Sequence, residues 1–299
     1  MFWQTTRFRI DLGQPRVMGI VNVTPDSFSD GGAHASSASA LAHCERLVRE
    51  GADILDIGGE SSRPGAARLS ASDELARLLP VLRGAVSLGV PVAVDTCKTE
   101  VMRAALDLGA DIINDISALL APGAVEAIAA QPACGVCLMH MRGEPPTMQE
   151  GADYADVVTE VCSFLAARLA EVTGRGVAAE RIVLDPGIGF GKRVEHNLEL
   201  LARQPELLAL GRPLLLGWSR KSTLGAVTGR AVNERLAASL AAALAAVQQG
   251  ASIVRVHDVA PTVDALRVWR AAGLGARAEP AALHNPGASG TALNSCDRR

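Results

Sequence analysis

The chain has 299 residues, 48% of them hydrophobic and 20% charged, with a formal net charge of −3 and six irregularly spaced cysteines. A near-neutral chain without a basic run has no electrostatic footprint for nucleic acid or an anionic membrane surface, and no stretch nears the about 18 apolar residues of a spanning helix. Arg7, Arg9 and Asp11 stand where an export signal needs an apolar core, and the cysteines form no disulfide framework, so a soluble, cytoplasmic protein with one large core is expected.

In chain order, short apolar runs alternate with longer amphipathic segments. After a lead-in over residues 1–15, strands are expected at 17–21, 54–57, 90–94 and 112–113 with its flanks. Each is followed by a helix, at 38–50, 72–87, 100–108 and 124–130 respectively. Further strands at 135–139, 182–184, 214–216 and 253–256 precede helices at 154–173, 195–201, 234–249 and 261–271. Gly51, Gly109 and Gly250 each open a Gly-Ala-(Asp/Ser)-Ile segment between a helix and the next apolar run, where glycine supplies the left-handed helix end. Eight such units predict an α/β protein built as a single-domain (β/α)8 TIM barrel over residues 16–274, in preference to an open parallel sheet. The helix over 234–249, with Leu236, Leu240, Leu244 and Val247, is apolar enough to be covered on two sides; a dimer interface or a well-buried barrel helix would each account for it. Residues 275–299 lose all pattern and are expected to form a disordered tail. Cys134 and Cys137, in an apolar setting without a completing pair, read as small buried hydrophobes.

Barrel chemistry lies at the C-terminal ends of the strands, and every run here ends in functional groups. Arg255 and His257 are two apart in an extended run and share a face. With Arg63 and the hydroxyls of Ser61 and Ser62 they would make a site for phosphate or pyrophosphate; the alternative is a structural Arg255–carboxylate pair with His257 at the surface. Asp95, Asn114, Asp185 and Lys221 offer acceptors and a donor suited to the edge of a nitrogen heterocycle, although each alone could cap a helix or form an ion pair. Phe28 and Phe190 stand in glycine-rich loops, where a flat ring can serve a substrate. The run Gly187-Ile188-Gly189-Phe190-Gly191-Lys192 is not a nucleotide loop, since Arg193 follows where Ser or Thr is required.

Taken together, these loops resemble the dihydropteroate synthase family of the folate pathway, the target of sulfonamides. The resemblance rests on Met18 through Gly32 (MGIVNVTPDSFSDGG), Asp56 through Gly65 (DIGGESSRPG), Val94-Asp95-Thr96, Ile113-Asn114-Asp115-Ile116, Leu138-Met139-His140-Met141, Asp185 through Lys192, Ser219-Arg220-Lys221-Ser222 and Arg255-Val256-His257-Asp258, in order along the chain. It implies a homodimeric, Mg2+-dependent barrel enzyme that joins p-aminobenzoate to 6-hydroxymethyl-7,8-dihydropterin diphosphate with release of pyrophosphate. By resemblance, Asp95, Asn114, Asp185 and Lys221 hold the pterin. Asn22, Ser62, Arg63, Arg255 and His257 hold the diphosphate, with Asn22 nearest the metal. Phe28, Pro64, Phe190, Ser219 and Lys221 surround the aminobenzoate, and Asp30 helps stabilise the electron-poor methylene. Two positions depart from the family pattern: Ser62 replaces a threonine, and Trp218 replaces a smaller apolar residue. The competing readings are a methyltetrahydrofolate-dependent corrinoid methyltransferase, which needs no diphosphate pocket, and a non-catalytic pterin-binding paralogue, which would have lost groups in the first two loops.

Overall fold

A short hairpin starts the chain and a closed ring of strands follows it. The computed structural model describes residues 1–23, 32–61, 68–143 and 152–274, so the expected tail at 275–299 lies outside the described residues. Strand β1 (Phe2–Gln4) pairs antiparallel with β2 (Arg9–Asp11), Trp3 lying opposite Ile10. The ring consists of β3 (Arg16–Asn22), β4 (Ile54–Gly58), β5 (Val92–Asp95), β6 (Ile112–Asp115), β7 (Gly135–Met139), β8 (Ile182–Asp185), β9 (Leu215–Leu216) and β10 (Ile253–Val256). Strands β3 to β8 pair in parallel with their sequence neighbours, and β10 lies between β9 and β3. A parallel bridge from Leu184 to Leu214 joins β8 to the β9 side, supported by the Leu184 amide on the Pro213 carbonyl at 3.0 Å. That contact closes the barrel and removes its edges. All eight expected strands are found, with ends within two residues of their sequence positions.

The helices are α1 (Gly32–Arg49), α2 (Ala71–Ala85), α3 (Thr99–Asp107), α4 (Ala124–Ala129), α5 (Val157–Gly174), α6 (Val194–Ala202), α7 (Ser222–Thr228), α8 (Leu236–Gln248) and α9 (Val259–Ala271). Gly51, Gly109 and Gly250 all have φ between 96° and 98°. The alanine after each donates back to the helix it leaves, to Leu47, Ala105 and Ala246 at 2.9–3.0 Å, so the repeated glycine is the left-handed helix end that the sequence predicts. Helix α7 was not expected: seven residues containing Gly225 and three β-branched side chains carry too little periodicity to register.

Alternation along each strand sorts its side chains. Leu55, Ile57, Val92, Val94, Ile113 and their equivalents face the helices. One residue from each strand faces inward at the bottom: Met18, Ile54, Ala93, Ile112, Cys137, Val183, Leu215 and Ile253 form a single cluster. Trp3, Ile10 and Leu12 of the hairpin segment complete that cluster from below. The lead-in over residues 1–15 is therefore a plug, and it is latched: Arg7 makes a bidentate pair with Asp111 at 3.0 and 2.6 Å, and the Trp3 indole donates to the Arg181 carbonyl at 2.8 Å. Cys134 and Cys137 are fully buried, and burial pushes the Cys134 thiol up to about 12 and that of Cys137 well above its usual range. Both behave as small hydrophobes. Trp218 is also buried, in the layer between strands and helices.

Candidate active site

Two residues above the apolar floor, the same inward face turns polar. Asp56 follows Ile54, Asp95 follows Ala93, Asn114 follows Ile112, Asp185 follows Val183, and Arg255 follows Ile253, each one pleat nearer the C-terminal mouth. The Arg255 guanidinium spans this layer. Its Nε donates to Asp56 Oδ2 at 2.5 Å and its Nη2 to Asp95 Oδ2 at 2.8 Å, while Asn114 Nδ2 donates to the same Asp56 oxygen at 3.1 Å. Arg255 thus has the carboxylate pairing weighed above as the alternative to an anion contact, with its Nη1 left outside these bonds. Burial pushes the Asp95 carboxyl up to about 7; Arg255 opposes this and the carboxylates of Asp56, Glu74 and Asp115 reinforce it. Asp185 is also raised by burial, against the Gly187 amide that donates to it at 2.7 Å and the nearby Lys221 ammonium.

Lys221 reaches this layer from the turn after β9. Its Nζ donates to the Ile188 carbonyl and lies 4.4 Å from the centre of the Phe190 ring. Burial brings its pKa down to about 8, with Asp185 pulling upward and Arg255 downward. The turn is strained, because Arg220 has φ 60°, at a cost of ~1–3 kcal/mol. Surrounding bonds hold it: the Arg220 amide donates to Ser239 Oγ at 3.0 Å, and its guanidinium grips Asp258 at 3.0 and 2.5 Å. Ser219, expected to border the aminobenzoate, has its hydroxyl under His257, accepting from the His257 amide at 3.1 Å and lying 3.0 Å from Nδ1.

The loop after β8 owes its shape to glycine and to one lysine. Gly187 has φ 69°, and a Cβ there would lie 1.9 Å from the His140 carbonyl oxygen; Gly189, at φ 81°, makes room for the Lys221 stem. Lys192, only 2% exposed, ties the loop from inside through His140 Nδ1 at 2.9 Å and the carbonyls of Gly187 and Phe190 at 3.0 and 3.1 Å. The lysine that superficially suggests a nucleotide loop is an internal strut.

At the opposite side of the mouth, Asn22 and His257 line a cleft of about 510 Å3 with Arg220 and with His43 and Arg46 of α1. Among the described residues no group of three His, Cys, Asp or Glu side chains could hold a metal. The Asn22 amide oxygen beside this cationic cleft fits a Mg2+ ion that arrives with phosphates, since such ions need only one or two protein oxygens. The structure therefore gathers Asp95, Asn114, Asp185, Phe190, Lys221 and Arg255 in the mouth, with Asn22, Ser219 and His257 at its rim. Phe28, Asp30, Ser62, Arg63 and Pro64 lie outside the described residues. Asp56 was given no role from the sequence, yet a carboxylate inside the run Ile54–Gly58, one pleat above an inward Ile54, already demands a buried cation. Glu60, Glu74 and Lys98, which cluster beside Asp95, carry no comparable signal because they come from three separate segments.

A family model described as pterin binding enzyme matches residues 18–257. The chain is 56% identical over 278 residues to dihydropteroate synthase of Neisseria meningitidis serogroup B, covering 91% of this chain and 98% of that one. The structure of the Xanthomonas albilineans synthase with 4-aminobenzoic acid superposes with a TM-score of 0.86 at 49% identity, over 91% of this chain and 99% of that one. The same synthase in complex with 7,8-dihydropteroate gives 0.82 at 47% identity, over 90% and 98%.

Proposed function

The chain belongs to the pterin-binding enzyme family, and we infer that it condenses 6-hydroxymethyl-7,8-dihydropterin diphosphate with p-aminobenzoate to give 7,8-dihydropteroate and pyrophosphate. The observation that carries this reading is the pairing of a polar layer inside the barrel mouth with a cationic cleft at its rim. The layer has the acceptors Asp95, Asn114 and Asp185 and the donor Lys221; in the cleft the positive charge comes from Arg46 and Arg220, with His257 beside them, while burial and Arg46 hold the His43 pKa down. The 4-aminobenzoic acid and 7,8-dihydropteroate bound by the related synthase support the two halves.

The chemistry follows from those groups. The pterin ring lies across the mouth, its N–H groups on Asp95 and Asp185 and its carbonyl toward the Lys221 ammonium. Ring nitrogens feed electrons to the exocyclic carbon, so the carbon–oxygen bond to the diphosphate breaks before the amine attacks. His257 and the basic rim receive the charge that builds on the departing oxygens, while the buried Asp95 and Asp185 carboxylates stabilise the cationic ring. Arg63 and Ser62, by resemblance, complete the anion contacts. Asn22 would hold Mg2+ with the diphosphate, where that cation would neutralise the leaving group. The aniline nitrogen is neutral near pH 7 and attacks without a strong base, losing its proton after the bond forms. Phe190 with Phe28 and Pro64 would bracket its ring, and Asp30 would face the methylene. A corrinoid methyltransferase has no use for the basic rim, which favours the synthase.

Measuring pyrophosphate release with Mg2+, with and without p-aminobenzoate, tests this. Aminobenzoate-dependent release matched by dihydropteroate supports the synthase; no release from folded protein contradicts it. We also propose that a second copy covers α7–α9, where Val227, Leu236 and Val268 are 59%, 40% and 70% exposed. Light scattering on the wild type and on Leu236→Lys distinguishes a dimer broken by that charge from a monomer throughout. No helix among the described residues is long and apolar enough to cross a membrane.

A further inference from the structure

Beyond Asn114, β6 ends at Asp115 and runs into a loop held by groups that have no part in the polar layer. Ala118 and Leu119, both buried, have left-handed backbone with φ 55° and 59°. Neither is glycine, and such residues stay in that region only where their surroundings over-determine it. Asp115, itself fully buried, holds the loop from its start. Its Oδ1 accepts from the Ser117 amide and hydroxyl, each at 2.7 Å, and its Oδ2 from the Leu119 amide at 2.7 Å. Arg168 of α5, only 6% exposed, holds the other end. Its Nε donates to the Ala118 carbonyl at 2.9 Å and its Nη2 to the Leu119 carbonyl at 3.1 Å, while Nη1 pairs with Glu171. Burial pushes the Asp115 carboxyl up, and the Ser117 and Leu119 donors and the Arg168 guanidinium pull it back. Between these two anchors, Ile116 and Ser117 line a cavity of about 190 Å3 together with Asp95 and Thr96. The Thr96 amide in turn donates to the Asn114 carbonyl at 3.2 Å.

We propose that Arg168, with Asp115, is a positioning residue for the pterin side of the site: it holds the strained loop so that Ile116 and Ser117 wall the space beside Asp95 and Asn114 stays in register. The proposal rests on the synthase reading above and adds two residues to which that reading gives no part. Arg168 lines neither of the cavities at the mouth and acts through the loop alone. Without its guanidinium the buried Ala118 and Leu119 carbonyls lose their donor, and the left-handed pair must shift to find another. Strand β6 stands four places from β10 around the ring, so the shift reaches the pterin and leaves His257 and the basic rim where they are.

The test measures affinity for two probes, 6-hydroxymethylpterin and inorganic pyrophosphate with Mg2+, on wild type, Arg168→Met and Arg168→Lys, together with KM for each substrate. A misplacement on the ångström scale should weaken 6-hydroxymethylpterin and raise KM for the diphosphate substrate by about tenfold in Arg168→Met. Pyrophosphate affinity and KM for p-aminobenzoate should stay within about twofold. Arg168→Lys, which keeps a cationic donor for the carbonyls, should recover most of the loss. Should Arg168→Met fail to fold, Arg168→Gln, which is shorter but still a donor, must show the same selective loss in smaller degree. Equal loss for both probes, an unchanged pterin affinity, or no recovery in Arg168→Lys overturns the positioning role. A wild type without affinity for 6-hydroxymethylpterin overturns the synthase reading and this role with it. One that binds the pterin but forms no dihydropteroate overturns the reading alone, and the pterin probe across the variants still decides the role of Arg168.

Discussion

Replacing Asp56 with alanine should damage both the fold and the site, and the size of the damage can be worked from its contacts. Asp56 is fully buried and accepts from Arg255 Nε at 2.5 Å and Asn114 Nδ2 at 3.1 Å. Removing one partner of a buried ion pair costs ~3–5 kcal/mol. The surviving Arg255–Asp95 contact at 2.8 Å keeps the loss at the lower end, about 3 kcal/mol. The orphaned Asn114 donor adds about 1 kcal/mol. A total of about 4 kcal/mol should lower Tm by roughly 8–16 °C for a domain of this size. Asp56→Asn keeps the shape and one oxygen, so it should lose about half as much. Urea unfolding gives the energies, and a double-mutant cycle with Arg255→Met isolates the pair, with an expected coupling above about 1 kcal/mol. A loss under about 0.5 kcal/mol in Asp56→Ala, or strict additivity with Arg255→Met, would refute the reasoning.

Further consequences can be checked separately. The pKa of Asp95 is raised, so its carboxylate appears only as pH climbs through about 7, whereas that of Lys221 is lowered and its ammonium is lost through about 8. The kcat/KM for the pterin substrate should therefore rise and then fall, with a narrow optimum between those values, and Asp95→Asn should abolish the acid limb. In Gly187→Ala the new Cβ would meet the His140 carbonyl at 1.9 Å on a backbone of φ 69°. Calorimetry should show a loss above about 2 kcal/mol, and the weakened loop should bind pterin poorly. Ser219→Ala removes the acceptor beneath His257; kinetics should show kcat/KM falling about tenfold with pterin affinity unchanged. Trp3→Ala empties the barrel floor far from the mouth and should cost ~3–5 kcal/mol in urea unfolding without altering KM.

Much of this was legible in the sequence because the barrel repeats one unit. The Gly-Ala-(Asp/Ser)-Ile segments announce a helix end and a strand start together, and each observed φ near 97° bears that out. Parallel strands buried on both faces appear as plain apolar runs, so their existence was clear. Their inward residues are evident only once the floor cluster fixes the phase, so the inward direction of Asp56, between Leu55 and Ile57, carries no signal in the sequence alone. The hairpin plug was hidden because three-residue strands carry no period. The contact of the Ser219 hydroxyl with His257 joins residues 38 apart, a distance that pattern reading cannot bridge. The Glu60–Lys98–Glu74 cluster, assembled from a loop and two helices, was invisible for the same reason.

The proposed site has two parts, a pterin-holding layer inside the mouth and an anion-holding rim around it. Binding of 6-hydroxymethyl-7,8-dihydropterin and of its diphosphate, measured calorimetrically on the wild type, Asp185→Asn and His257→Ala, separates the two parts most directly. Asp185→Asn should weaken both ligands by the same factor, and His257→Ala should reduce only the extra affinity conferred by the diphosphate. If His257→Ala weakens the bare pterin as much as the diphosphate, or Asp185→Asn spares it, the two-part site is wrong.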